Sequence, residues 1–320
     1  MFTKNQILIV TISSILFIAV AFFLIPYLVT NKSWWWAYDD TTGVIGDTIG
    51  GIVGPFVGFV GVVLTFFAFY IQYQANQIQV KSLKEQSDLA TKSDRQIKVQ
   101  HLESNFFRMI EYHNQNVNQI KITNLDSTKT DISEGRRAFV QFKIQIHRLL
   151  PIVNAVNSEN ELKLTREQIL DITYIIFYYG IDGSWVNFIT EKLSRYPNSS
   201  LIAAKVAEKI SKTSNLKLAR TNQTNLSTYF RNMYNAIKLI DQNEILTEKE
   251  KQNLIKIYRA QLSNPELYVI FFNILSRFGK KWIDKDYIIK YELLKNIPKN
   301  YCDGYEPSDY FKILYEDDEY

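Results

Sequence analysis

Two long uncharged apolar segments within the first eighty residues constrain this chain more than any other feature of its sequence. Residues 7–29 are mostly Ile, Leu, Val, Phe and Ala, and a second uncharged run extends from Thr48 to Val80. Because about 20 apolar residues span the hydrocarbon core of a bilayer, residues 7–29 and 48–70 predict two transmembrane helices, joined as a hairpin over residues 1–73. A cleaved signal peptide is the alternative for the first segment, but its apolar region would cover only about 7–15 residues.

The basic residues around these segments predict the orientation of the hairpin. Lys4 precedes the first segment, whereas the connecting loop holds Lys32 together with Asp39, Asp40 and Asp47. Five basic residues follow the second segment: Lys81, Lys84, Lys92, Arg95 and Lys98. Since basic residues favour the cytoplasmic side of a membrane, we expect both termini in the cytoplasm and lipid around the hairpin.

A stripe of small residues follows one face of the second apolar segment. Gly46, Gly50, Gly54 and Gly58 recur every four residues, and Gly61 and Thr65 continue the stripe. Small residues at this spacing let membrane helices approach closely. One interpretation is packing against the first helix or a single partner. The other is a homo-oligomer whose second helices surround a narrow pore, with Asp47 at its outer mouth, where a ring of carboxylates favours cations. The predicted pore and oligomer face is Asp47, Gly50, Gly54, Gly58, Gly61 and Thr65.

The remainder of the chain predicts an all-α fold. We expect a helical stalk over residues 74–100, a helical cytosolic domain over 101–300 and an acidic tail over 301–320. Capping boxes at Thr165–Gln168 and Thr247–Glu250 mark helix starts, and Asn264-Pro265 begins a helix that Gly279 can end. No segment alternates like a strand, and polar runs at 123–131 and 213–228 predict loops. The single Cys302 excludes an internal disulfide and suits a reducing compartment.

Basic residues are concentrated in the second half of the chain. Residues 192–238 contain nine basic residues and one acid, Glu208. A solvated face is one interpretation, and a site for the phosphates of a nucleotide or a single-stranded nucleic acid is the other. Tyr229 and Tyr234 lie nearby and could stack on bases or belong to the core. The candidate ligand-binding residues of this segment are Lys205, Lys209, Lys217, Arg220 and Arg231.

Motifs of the common enzyme classes are absent from the sequence. It has no phosphate-binding GxxxxGK[ST] motif, no glycine-rich dinucleotide loop and no paired cysteines, and its three histidines are scattered. We therefore predict no enzyme activity, no metal site and no cofactor. One alternative remains, because Arg108 and His113 have the spacing of the HEPN ribonuclease signature. There the His would act on the 2′-hydroxyl and the Arg would stabilise the developing negative charge.

Several blocks of the sequence resemble the AbiC-like family of putative phage abortive infection proteins. These blocks include Glu103-Ser-Asn-Phe-Phe107, Gly135-Arg-Arg-Ala-Phe139, Phe177-Tyr-Tyr-Gly-Ile181, Tyr229-Phe-Arg-Asn-Met-Tyr234 and Tyr258-Arg-Ala-Gln-Leu-Ser263. The membrane hairpin, with Gly46-Asp47 and Gly50-Gly51, resembles the family too. Asn232 and Asn235 stand where the family often has His, which weighs against a catalytic role for that helix. The resemblance implies a bacterial membrane effector that halts host growth on phage infection.

Resemblance and residues together predict an oligomeric ion channel of the bacterial inner membrane. A nucleotide or single-stranded nucleic acid, held by the basic segment and Arg259, would control its opening. An infection-sensing partner protein encoded nearby would supply or remove that ligand. The alternatives are a membrane-tethered HEPN-like ribonuclease using Arg108 and His113, and a membrane scaffold that recruits another toxic protein.

Overall fold

A computed structural model describes residues 4–30, 42–123, 132–181, 184–213, 218 and 221–319 of the chain. It divides into two compact units, Met1–Ser93 and Asp94–Tyr320. The described part is mainly helical and has almost no strand, so the prediction of an all-α fold is confirmed. The helices are α1 Lys4–Thr30, α2 Thr42–Gln119, α3 Arg136–Glu159, α4 Arg166–Tyr179, α5 Val186–Lys192, α6 Ser199–Lys212, α7 Thr221–Asp241, α8 Glu248–Arg259, α9 Asn264–Leu275, α10 Lys280–Asp284, α11 Tyr287–Lys290 and α12 Pro307–Tyr310.

The first unit consists of α1 and the beginning of α2. Within the described residues, one helix, over residues 50–119, is long and apolar enough to cross a membrane, and only 11% of its most apolar stretch is buried inside the protein. Residues 8–24 of α1 form a shorter apolar helix. A core helix of a soluble protein can pass the same test of length and composition, so the two-helix hairpin stays a prediction. The connecting loop with Lys32, Asp39 and Asp40 lies outside the described residues.

The middle of α2 is exposed on every side. From Ala75 to Lys98 every residue of the helix is exposed. The apolar residues become buried further along, at Leu102, Phe106 and Ile110. This change in burial follows the change from sparse to dense apolar residues in the sequence, because an isolated apolar side chain cannot by itself attach a helix to a core.

The second unit is built around α3. Its buried face, which includes Phe139, Phe142, Ile146 and Leu149, packs against α4, α6 and α9. A short antiparallel pair precedes α3, with strand β1 (Lys121–Thr123) beside β2 (Ile132–Glu134). An ion pair of 2.7 Å between Lys121 and Glu134 closes this pair. The acidic C-terminal segment is fixed to the same unit, because Asp303 accepts a hydrogen bond from Tyr268 and Asp318 pairs with Lys299.

The predicted helix boundaries are right at the capping boxes and wrong at two other positions. Thr165 and Thr247 cap α4 and α8 through the predicted reciprocal bonds with Gln168 and Glu250. The polar run predicted as a loop over 213–228 ends earlier, since α7 begins at Thr221. Gly279 does not end α9, which stops at Leu275 before a short 3-10 helix, Arg277–Gly279. That glycine instead permits a close backbone approach.

Candidate ligand-binding cavity

The small-residue stripe of α2 lies on an open surface of the first unit. A Cβ atom added at any of Gly46, Gly50, Gly54, Gly58 or Gly61 would meet no atom of the described residues within 4 Å outside its immediate helical surroundings. The buried side chains of this part of α2 are Val53 and Val60 instead, and the Thr65 hydroxyl donates 2.8 Å to the Gly61 carbonyl. Asp47 is exposed at the start of the stripe. Within the described residues, the glycines of the stripe therefore do not pack against α1.

Arg108 and His113 do not form a site together. Arg108 is exposed on α2, whereas only 1% of the His113 surface is accessible. The His113 Nδ1 atom lies 2.9 Å from the Tyr258 hydroxyl, and its ring centroid lies 4.6 Å from that of Tyr229. Burial, with repulsion from Arg136, lowers the pKa of His113 to about 4. A buried neutral imidazole cannot reach an RNA hydroxyl, so the geometry does not support the ribonuclease alternative.

His113 belongs to a buried polar network that joins α2 to α7, α8 and α9. Glu266, at the start of α9, accepts hydrogen bonds from the backbone N–H and hydroxyl of Ser263, at 2.9 and 2.6 Å, and from the Tyr229 hydroxyl at 3.4 Å. Burial raises the pKa of the Glu266 carboxyl. Tyr229 is fully buried here, so it cannot stack on a base as the sequence allowed. We therefore assign these buried residues to the stability of the fold.

The predicted ligand-binding residues that the structure describes are not brought together. On α6, Lys205 pairs with Glu208 at 2.9 Å and Lys209 pairs with Glu159 at 2.6 Å. Lys217 and Arg220 lie outside the described residues. Arg259 is buried, and its guanidinium donates to the Tyr291 and Glu292 carbonyls and to the Glu292 carboxylate. Because Arg259 is buried and its Nη1 already bonds to Tyr291 and Glu292, Arg259 is not placed to hold a ligand.

Arg231 is the exception, because it lines a cavity of about 810 Å³. The cavity lies between α7 and the segment that runs from the end of α9 through α10, with Tyr178 of α4 completing the wall. Three lysines of its lining join Arg231: Lys238 from α7, and Lys280 and Lys281 from α10. All four cations are exposed, and Asp284 is the one carboxylate among the described residues that line the cavity.

None of these lysines is neutralised by a neighbour. Among the described residues, Lys238, Lys280 and Lys281 have no ion pair, and Arg231 bonds only to the carbonyl and hydroxyl of Ser227 on its own helix. Like charges held close together repel one another, and an anion between them relieves that repulsion. The cavity is therefore electrostatically suited to an anionic ligand.

Aromatic side chains form the apolar part of the cavity wall. Phe230 and Tyr234 come from α7, Phe278 from the 3-10 helix and Trp282 from α10. The first three are partly exposed, whereas Trp282 is 3% exposed. Trp282 packs edge-on against Tyr234, with 5.3 Å between the two ring centroids. Cations beside aromatic faces are the combination that binds phosphates and bases together.

An ion pair to α4 fixes the 3-10 helix that carries Phe278. The Arg277 guanidinium donates to the Asp171 carboxylate at 2.8 and 3.0 Å, and the Arg277 backbone N–H donates to the same carboxylate at 2.7 Å. A further bond of 2.8 Å joins Arg277 to the Lys192 carbonyl at the end of α5. Arg277 also lines the cavity, but its charge is already matched by Asp171.

Sequence reasoning missed the lysines of α10. They stand in the run Arg277-Phe-Gly-Lys-Lys-Trp282, where basic and aromatic residues alternate closely. That local mixture was the available signal, but it lies about forty residues from the basic segment on which the prediction concentrated. Among the described residues, no group of three or more His, Cys, Asp or Glu side chains could hold a metal ion.

Residues 221–302 of the chain match a family model described as putative phage abortive infection protein. The matched segment begins at α7 and includes every residue named above as lining the cavity except Tyr178. No curated protein and no solved structure matches the chain. The match confirms the AbiC-like resemblance inferred from the sequence, and it supports a role in phage defence.

Proposed function

Because residues 221–302 carry the signature of AbiC-like abortive infection proteins, we propose that this chain is a membrane effector of phage defence in the bacterial inner membrane. In this proposal α1 and the apolar part of α2 form the hairpin, and copies of α2 assemble around an ion-conducting axis. A phosphate-bearing ligand, supplied or removed by an infection-sensing partner, controls the opening of this channel.

The open glycine face of α2 is the observation that carries the proposal. Bulky apolar residues such as Phe59, Val62 and Phe66 are more than 60% exposed on the same helix, as lipid-facing residues would be. The glycines present a smooth surface on which an added Cβ would meet no atom of the described residues within 4 Å, apart from its immediate helical surroundings. Membrane helices associate through such small-residue faces, because packing rather than the hydrophobic effect drives their contact.

Pro55 adds a polar group beside this face. It has no backbone N–H to donate to the Gly51 carbonyl, four residues earlier in α2. In a membrane, a carbonyl without its helical partner is tolerated where it faces protein or water. An oligomer whose glycine faces meet around a hydrated axis would provide such surroundings.

The test is a comparison of two leucine substitutions in cells that express the chain and are challenged with phage. Gly58→Leu adds a bulky side chain to the glycine face, whereas Phe56→Leu changes a residue two positions away, on the opposite side of the helix. A membrane-potential dye should report depolarisation before lysis for the wild type and Phe56→Leu. Gly58→Leu should abolish depolarisation while its amount in the membrane stays unchanged.

Three outcomes would contradict this proposal. If Gly58→Leu still depolarises the membrane, the glycine face does not form the conducting assembly. If protection from phage persists without any depolarisation, a scaffold that recruits another toxic protein becomes the better account. If Arg108→Ala abolishes both protection from phage and RNA cleavage, the ribonuclease alternative becomes the better account.

A further inference from the structure

The cavity between α7 and α10 suggests the chemical class of the controlling ligand. We infer that it binds a single nucleotide, with the phosphates held by Arg231, Lys280 and Lys281 and the base placed against the aromatic wall. This assignment deepens the proposed function and rests on it only for what the ligand controls. Binding itself can be measured without any channel activity.

The charge of the cavity favours phosphates over other ligands. Five cations and one carboxylate, Asp284, are among the described lining residues, and one of the cations, Arg277, is paired with Asp171. Of the other four, the three lysines have no ion pair in the described part of the chain. A carboxylate ligand would match one of them, whereas a di- or triphosphate carries enough charge to match most of them. Arg231 can also bind phosphate oxygens through two N–H groups at once.

The aromatic wall favours a base beside the phosphates. Phe230, Tyr234 and Phe278 are partly exposed where they line the cavity. Stacking on such rings accepts any base, because every base has a π-face. Asn235 lines the same cavity, and within the described residues its amide makes no hydrogen bond, so it is available to the edge of a base.

The size of the cavity and its neighbours favour one nucleotide over a strand. Its volume of about 810 Å³ lies in the usual range for small-molecule sites. A neighbouring cavity of about 530 Å³ shares Arg231 and Asn235, but amides and hydroxyls such as Gln115, Asn116 and Thr228 form the rest of its lining. A third cavity, of about 420 Å³, shares Lys280 and adds Arg195, but the carboxylates Glu167 and Asp171 also line it. A strand needs cations along its path, whereas the described residues of these two neighbouring cavities offer it neutral groups on one side and carboxylates on the other.

Calorimetric titration of the purified full-length chain in detergent tests this assignment. The probes are ATP, GTP, CTP and UTP, inorganic pyrophosphate, and a short oligo-dT strand, all at low salt. At least one nucleoside triphosphate should bind more tightly than pyrophosphate, because pyrophosphate has no base to stack. The strand should bind more weakly than that nucleotide.

Two double variants with the same change of charge provide the comparison. Lys280→Ala with Lys281→Ala should weaken nucleotide binding by roughly tenfold or more, because two phosphate partners are lost. Lys205→Ala with Lys209→Ala should change it by less than about twofold, since those lysines are already paired with Glu208 and Glu159 and do not line the cavity. Circular dichroism should show the same helical content in both.

Several results would overturn the inference. No binding of any nucleotide, an equal loss in both double variants, or pyrophosphate binding as tightly as the best nucleotide would each do so. Tighter binding of oligo-dT than of every nucleotide would replace it by a nucleic-acid groove. If a nucleotide binds but cells are not depolarised, the cavity assignment is retained and the channel proposal is wrong. If cells are depolarised but no nucleotide binds, the channel proposal is retained and the cavity assignment is wrong.

Discussion

At the residue scale, the buried network around His113 makes the stability of the second unit depend on pH. His113 stays neutral in the folded protein down to a pKa of about 4, against a usual value of 6.5. The unfolded chain therefore takes up a proton between pH 6.5 and 4 that the folded protein does not. The contribution of His113 to the free energy of unfolding is therefore fully present above pH 6.5. As the pH falls through this range, the free energy of unfolding decreases by about 3 kcal/mol in total.

Replacing His113 by Phe should remove this acid-side dependence. Between pH 6.5 and 4 the melting temperature of the wild type should fall more steeply than that of His113→Phe, measured by circular dichroism on the full chain in detergent. Glu266 acts in the opposite direction, because its raised pKa makes stability fall as the pH rises above its usual value of 4.5. His101→Phe is the control, since His101 is exposed on α2. Equal slopes in the wild type and His113→Phe would contradict the assignment.

At the element scale, the segment from α9 to α10 depends on close packing at Gly279. A Cβ on this residue would lie 2.2 Å from the Cα and carbonyl oxygen of Ile274 and 2.5 Å from the Asn273 carbonyl oxygen. Its φ of −86° is ordinary, so space rather than backbone conformation requires glycine. This close approach turns the chain between Phe278 and Lys280, both of which line the cavity.

Gly279→Ala should therefore destabilise the second unit by roughly 2–4 kcal/mol, because backbone atoms must move to admit the methyl group. Chemical unfolding of the full chain, followed by circular dichroism, measures this loss. Gly304→Ala is the matched control, since its φ of +80° strains an alanine but the added Cβ meets nothing within 4 Å. There the expected loss is about 1–2 kcal/mol. A smaller loss at Gly279 than at Gly304 would contradict the close approach.

At the scale of the whole molecule, the chain combines an exposed apolar helix with a folded helical unit. The apolar surface is concentrated in residues of α1 and the start of α2, many of them more than half exposed. The second unit buries many of its aromatic residues, including Tyr174, Tyr229, Tyr258 and Tyr268. An apolar surface of this extent needs lipid or protein against it, which is why the proposal assigns the first unit to a membrane.

The distribution of basic residues then predicts that both termini lie in the cytoplasm. A phosphatase that is active only in the periplasm should be inactive when fused after Tyr320, and a fluorescent protein at the same position should fluoresce. The same phosphatase inserted after Ser33, in the predicted loop, should be active. Phosphatase activity at Tyr320 would show that the orientation is the opposite of the predicted one. The second unit could then not bind a cytosolic ligand, and that part of the proposal would be wrong.

The sequence by itself determined the features that depend on neighbouring residues. The all-α fold could be predicted because helix formation follows local residue type and spacing. The caps at Thr165 and Thr247 could be located because a capping box is complete within four residues. The AbiC-like resemblance was also available from blocks such as Tyr258–Ser263. These predictions needed no knowledge of which helices pack together.

Only the tertiary structure decided which charged groups are available to a ligand. Arg259 and Arg231 look alike in the sequence, yet one is enclosed with Glu292 and the other lines a cavity. Lys280 and Lys281 line the same cavity as Arg231, and the segment that carries them is held by the close approach at Gly279 and the Arg277–Asp171 pair. Burial and charge pairing depend on contacts between residues far apart in the chain, so the position of the candidate site could not follow from local sequence patterns.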